Sequence, residues 1–239
     1  MRGCLWIAVL LFLASGCGRY FPQPLQPTLQ QAEGMTVNDD GSVTYALERL
    51  AITLRPMTDA ELNRQFPQAS TGGAAAVNPY TFGDWVPPGD DWTPSRFLVM
   101  KLGVANYQFP KVLIDPLKAT IKVANNQIYR ALSYAELYEY YQAYWQANSG
   151  QGRIEFRART DILKQTMFTD NFIFSGRDEE GYIVFPRLDD EIQRIQVEIA
   201  DIAIRFNFDN EPVETIDLSV SFEREVLKGN APHSAVPLN

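Results

Sequence analysis

The residues able to do chemistry are few, and their spacing limits them further. The one histidine, His233, follows Pro232 six residues from the C-terminus, in a polar stretch. A general base needs fixed geometry and a partner, so His233 reads as a solvated tail residue. No Gly-x-Ser-x-Gly turn exists to present a serine nucleophile. Ser70-Thr71-Gly72-Gly73-Ala74 is glycine-rich, but no Lys-Ser or Lys-Thr follows, so it reads as a loop and not as a phosphate cradle. Two acidic clusters, Asp178-Glu179-Glu180 and Asp189-Asp190-Glu191, flank the apolar stretch Gly181–Pro186. Paired carboxylates are the currency of glycoside hydrolysis and of calcium coordination. Neither cluster has the regular spacing of a calcium loop, and turn residues in solvent are the simpler reading. Arg153, Arg157 and Arg159 make a basic stripe that ion pairing within the fold would absorb.

Aromatic side chains are more abundant than reactive ones. Residues 78–94 hold Tyr80, Phe82, Trp85 and Trp92 among Pro, Gly and Asp. Such a loop can offer rings to a sugar or to a protein surface, because aromatics bring large contact area at low entropic cost. It can equally fold its rings back to give itself a small core. Tyr80, Phe82, Trp85 and Trp92 are therefore the candidate partner-binding or glycan-binding residues. Composition narrows the classes. The chain has 239 residues, 46% hydrophobic and 21% charged, which is ordinary globular usage. A net charge of −8 disfavours nucleic acid as a partner, since that partner demands a basic footprint.

The two cysteines, Cys4 and Cys17, sit at the start of the chain. Arg2 precedes a run of about ten apolar residues, which rises roughly 15 Å as a helix and is too short to span a bilayer. Small residues then lead to a cysteine: Ala14-Ser15-Gly16-Cys17. This stretch resembles the lipobox of bacterial lipoproteins, with Ala14 where the family most often has Leu. The resemblance implies a signal peptide over 1–16, diacylglycerol on the Cys17 thiol and an acyl chain on its freed amino group. Gly18, where an Asp would suggest inner-membrane retention, points to the outer membrane. Two or more chains make a stable anchor where one does not. On this reading the lipid bilayer is a partner through Cys17, Arg2 is lost so that the charge becomes −9, and the mature body has no thiol. Disulfides, cysteine nucleophiles and thiolate metal sites then drop out together, and no cofactor or metal is expected.

The remaining chain supplies the scaffold. Residues 17–40 are rich in Pro and Gln without periodicity and read as a flexible tether, on the order of 25 Å in reach. Residues 227–239 read as a loose tail. Between them, 41–226, alternating segments recur: Val43 to Leu47, Leu50 to Leu54 with a parity slip that suggests a bulge, Phe97 to Val104, Leu117 to Val123, Gly181 to Pro186, and Ile195 to Phe208 with another parity switch. Asp209-Asn210-Glu211-Pro212 turns the chain into Ile216, Leu218, Val220 and Phe222, the clearest hairpin. Thr58-x-x-Glu61 and Ser133-x-x-Glu136 are capping boxes that predict helix starts. Tyr134, Leu137, Tyr138, Tyr141, Tyr144 and Trp145 keep helical spacing. A third helix is expected within 156–169, although Arg153 to Arg159 alternates like a strand. Setting aside insertions at 57–94 and 132–171 leaves about a hundred residues of strand and turn, the size of an immunoglobulin domain. The strand text resembles the Ig-like domains of bacterial lipoproteins, without their antibody-type Cys and Trp marks. The expected fold is mainly β, an immunoglobulin-like antiparallel β-sandwich with helical and loop insertions; a small α+β domain or open barrel competes. The expected function is a non-enzymatic, membrane-anchored scaffold or protein-binding module on the periplasmic or outer face. A carbohydrate or peptidoglycan-binding module using the loop 78–94 is the alternative.

Overall fold

The structure, a computed structural model, describes residues 18–147 and 152–237. The expected signal peptide, residues 1–16, and Cys17 lie outside the described residues. In chain order the strands are β1 (Arg19–Pro22), β2 (Gln26–Pro27), β3 (Met35–Val37), β4 (Val43–Leu47), β5 (Leu50–Met57), β6 (Phe97–Asn106), β7 (Lys111–Val112) and β8 (Ala119–Val123), then β9 (Ile128–Arg130), β10 (Ile173–Phe174), β11 (Arg177–Pro186), β12 (Arg194–Phe206), β13 (Pro212–Glu223), β14 (Val226–Gly229) and β15 (Val236–Pro237). The helices are α1 (Asp59–Gln65), α2 (Tyr134–Ala147) and α3 (Arg153–Thr166).

Two five-stranded antiparallel sheets, ordered β11-β6-β5-β4-β3 and β2-β13-β12-β8-β9, share one core. The chain is thus an antiparallel β-sandwich with insertions, broader than the four-plus-three strands of a constant-type immunoglobulin domain. Leu50, Ile52, Leu54, Met100, Leu102 and Phe185 of the first sheet meet Ile121, Val197, Ile199, Leu218, Val220 and Phe222 of the second. All are under 2% exposed.

The outer face of the first sheet carries a second core. Phe97 and Val99 on β6, and Tyr182 and Val184 on β11, point away from the sandwich and pack on Leu62 of α1, Leu137 and Tyr141 of α2 and Leu163 of α3. This explains why Phe97–Met100 and Gly181–Phe185 are apolar in near-continuous runs: both faces of those strands are covered. Both capping boxes form, with Thr58 Oγ1 accepting from the Glu61 amide at 3.2 Å and Ser133 Oγ from the Glu136 amide at 3.1 Å.

Four local readings change. The parity slip near residue 48 is not a bulge but a hairpin turn. Leu47 pairs with Leu50, and Glu48 adopts φ 54 between them. A two-residue turn shifts the register of alternation as a bulge would, which is why the sequence pattern did not separate them. The later switch is a bulge, where the β12–β13 register shifts between Ile199 and Ile202 and Asp201 takes φ 55. Residues 153–159 are helical and not a strand. Last, most of the segment expected as a tether is woven into the body. β1 pairs with β14 from Arg19↔Gly229 to Pro22↔Val226, β2 pairs with β13, and β3 pairs with β4. The tail reading over 227–239 fails for the same reason, since β14 also receives β15. Proline-rich segments satisfy a sheet edge well when few of their amides must donate, and only the partner strands reveal that they do.

Candidate functional site

The sandwich has two ends, and the pairing register assigns each element to one. β13 runs from Glu223, beside β2, to Pro212, and β1 joins β14 just beyond Glu223. One pole therefore holds the N-terminal strand, and the opposite pole holds the β12–β13 turn.

The aromatic loop belongs largely to the body. Tyr80 is fully buried, its ring edge-to-face with that of Tyr182 at a centroid separation of 5.2 Å, its hydroxyl paired with Thr166 Oγ1. Burial pushes its hydroxyl well above the usual phenol range. Tyr80 is thus a core residue and no part of a binding face. Phe82 and Trp85 are half-buried with centroids 5.7 Å apart, and the Arg96 guanidinium lies 4.2 Å over the Phe82 ring. Trp92 packs edge-on against Phe21 of β1 at 5.2 Å. The four rings do not form one platform, because Tyr80 and Trp92 pack on different parts of the body while Phe82 and Trp85 pack on each other.

Two arginines fasten this loop. Arg159 Nη2 donates to the Ala76 carbonyl at 2.7 Å, and Arg96 Nη1 donates to Tyr141 Oη at 3.0 Å. The Tyr141 hydroxyl in turn donates to the Pro79 carbonyl. Arg159 therefore acts separately from Arg153 and Arg157, which are exposed. Burial lowers the pKa of Arg159 and raises that of Tyr141 to about 12.

The acidic clusters do not meet. Asp178, Glu179 and Glu180 lie in the first half of β11, and Asp189, Asp190 and Glu191 lie beyond its end, with roughly 20 Å of strand between Glu180 and Pro186. Glu180 pairs with Lys101 at 2.8 Å, and Asp178 accepts from the Tyr107 hydroxyl at 3.1 Å. Asp189 accepts from Tyr129 at 3.0 Å. Among the described residues no group of three His, Cys, Asp or Glu side chains is placed to hold a metal ion. His233 sits 3.3 Å from Asp91, exposed.

One carboxyl stands out. Asp59 lines a cleft of about 160 Å³ with Met57, Trp92, Phe97, Leu188 and Arg224 at the N-terminal pole. Burial raises its pKa to about 6 against the opposing pull of the Ser95 hydroxyl and the Arg96 charge. The lining has the hydroxyls of Thr58, Thr93 and Ser95 and the carboxyls of Asp59 and Asp190, but no histidine or lysine to take a proton from Ser95.

The opposite pole carries a feature that sequence reading passed over. Phe172 and Phe206 meet edge-on at 5.4 Å, and Phe172 lies 6.4 Å from Phe174. Lys111 Nζ sits 4.3 Å above the Phe172 ring and 4.5 Å above that of Phe206, held by Asn210 in the β12–β13 turn. Phe174 is 57% exposed, Val213 65%, and Phe208, in the turn itself, is wholly exposed. In the sequence Phe206 and Phe208 looked like the end of an alternating strand. The available signal was Asn207-Phe208-Asp209-Asn210: an aromatic inside turn chemistry has no core to enter. Exposed aromatics gathered with a cation are what protein interfaces use.

No family model matches the chain, and no curated protein matches it. A solved structure is similar: the 1.5 Å crystal structure of MPT63, a secreted protein from Mycobacterium tuberculosis, at 12% identity over 65% of this chain and 82% of that one, with a TM-score of 0.29. That likeness carries no argument about what this chain does. No described helix is long and apolar enough to cross a membrane.

Proposed function

We propose that this chain is a lipid-anchored envelope protein of the outer membrane, acylated at Cys17, that binds a protein partner non-enzymatically through the pole bearing Phe174 and Phe208. The observation that carries the reading is the exposed aromatic cluster around Lys111, at the end of the sandwich opposite the N-terminal strand. An anchor at one pole presents the other to whatever lies away from the membrane. Asp209 and Glu211 flank the apolar tip, which favours a partner with apolar side chains inside a basic rim. The lipobox resemblance supports the address, and the scarcity of nucleophile–base pairs supports the passive role. The carbohydrate alternative loses support with Tyr80 in the core.

The test is a photo-crosslinker at position 208 in native membranes. A discrete adduct with one protein, lost when Phe174→Ser is added, supports the reading; no adduct under any growth condition defeats it. In parallel, Cys17→Ser should move the protein from the membrane to the soluble fraction.

A further inference from the structure

We infer that the end of the body made by β1, β14, β15 and the 90–92 turn rests directly on the bilayer, with no intervening tether. The inference rests on acylation of Cys17 and goes beyond it.

Chain length decides the matter. Consecutive Cα atoms are about 3.8 Å apart, so Arg19 lies within roughly 8 Å of Cys17. Gly18 is already part of the fold: a Cβ on it would stand 3.0 Å from Lys228 Cγ. Pairing with β14 begins at the next residue, Arg19↔Gly229. The polar layer of one leaflet is about 5–8 Å deep. Acyl chains seated in the hydrocarbon at Cys17 therefore draw the first residues of β1 to headgroup level, and the strands paired with β1 come with it.

The surface so placed has suitable chemistry. Lys228 Nζ lies 5.3 Å over the Tyr20 ring, and Arg19 pairs with Asp90 at 2.7 Å while 61% of its side chain stays exposed. Val236, beside Lys228 in β15, is 62% exposed. Tyr, Lys and Arg are side chains that set apolar stems at a membrane interface and hold polar ends in water. Tyr20, Lys228 and Val236 lie on one side of this small sheet and Arg19 on the other, where Asp90 matches its charge. From this end β13 spans twelve residues, about 37 Å at full extension, to the turn that carries Phe208.

The body of the mature chain has no thiol, so single labels are straightforward. The acylated protein, with Val236→Cys or Phe208→Cys carrying a fluorophore, is reconstituted in vesicles of phosphatidylethanolamine and phosphatidylglycerol containing headgroup-nitroxide lipid. Docking predicts strong quenching at position 236 and none at 208. A flexible Gly-Ser linker inserted between Gly18 and Arg19 should abolish the quenching at 236 while the protein still floats with vesicles. Flotation with no quenching at 236 overturns the docking and leaves the anchor standing. A protein that fails to float, with its N-terminal peptide unmodified by mass spectrometry, overturns both.

Discussion

Arg159 Nη2 donates to the Ala76 carbonyl at 2.7 Å across 83 residues of chain, and this bond ties helix α3 to the loop between α1 and β6. The side chain is only 6% exposed, and its Nε has no partner. The rings of Tyr141 and Tyr144 lie 5.5 and 5.6 Å from its guanidinium carbon. A buried cation held by a carbonyl and two ring faces is costly to truncate, because the carbonyl is then left unsatisfied. Arg159→Ala is expected to destabilise the protein by about 2–4 kcal/mol in chemical denaturation. Hydrogen exchange should accelerate first in residues 76–80.

Tyr141→Phe tests the neighbouring link. The hydroxyl accepts from Arg96 and donates to the Pro79 carbonyl, both inside the second core. Removing it strands a charged donor, and a loss of about 1.5–3 kcal/mol is expected. Since the ring remains, the slope of the denaturation curve should not change.

Asp59 gives the protein a pH signature. Its carboxyl titrates at about 6 in the fold against 3.8 when unfolded. Between these values the folded state holds more protons, so its contribution to stability is largest below the lower value and falls as pH rises through 6. Asp59→Asn should therefore raise the melting temperature at pH 7.5, by an amount set by up to about 2–3 kcal/mol. It should change little at pH 4. A variant that gains equally at both values would show that desolvation of the carboxylate is not the cause.

Gly181 sits where β11 is crossed by the chain leaving α3. A Cβ there would stand 2.6 Å from the Phe168 backbone nitrogen and Cα, and Phe168 N donates to the Tyr182 carbonyl at 2.9 Å. Backbone cannot swing aside as a side chain does. Gly181→Ala should cost about 2–3 kcal/mol by forcing the two segments apart. At Glu48 the expectation is reversed. Its φ of 54 is strained for a side chain with a long stem and free for glycine. Glu48→Gly should thus gain up to about 1 kcal/mol.

Phe208→Ser separates function from folding. A fully exposed ring in a turn contributes within about 0.5 kcal/mol to stability. The variant should melt like the parent while losing the adduct formed by a photo-crosslinker placed instead at the exposed Val213.

Much of the scaffold was written locally. The capping boxes at Thr58 and Ser133 declared helix starts because hydroxyl, carboxylate and free amides lie within one turn. The β12–β13 hairpin was legible because apolar alternation on both sides of Asp209-Asn210-Glu211-Pro212 needs no distant partner. The turn at Glu48 was misread because a two-residue turn and a bulge leave the same alternation. Residues 19–27 looked like a tether because what orders them, β13 and β14, lies some two hundred residues away. The aromatic loop announced its rings but not their direction: Tyr80 is inside because α1, α2 and α3 build a wall around it. The cluster of Phe172, Phe174, Phe206 and Lys111 exists only where β7, β10 and β12 converge. Sequence by itself determined the elements whose hydrogen bonds close within a few residues, together with the chemistry available to the chain. Tertiary structure alone decided which apolar surfaces were left over, because burial depends on partners that come from distant parts of the chain.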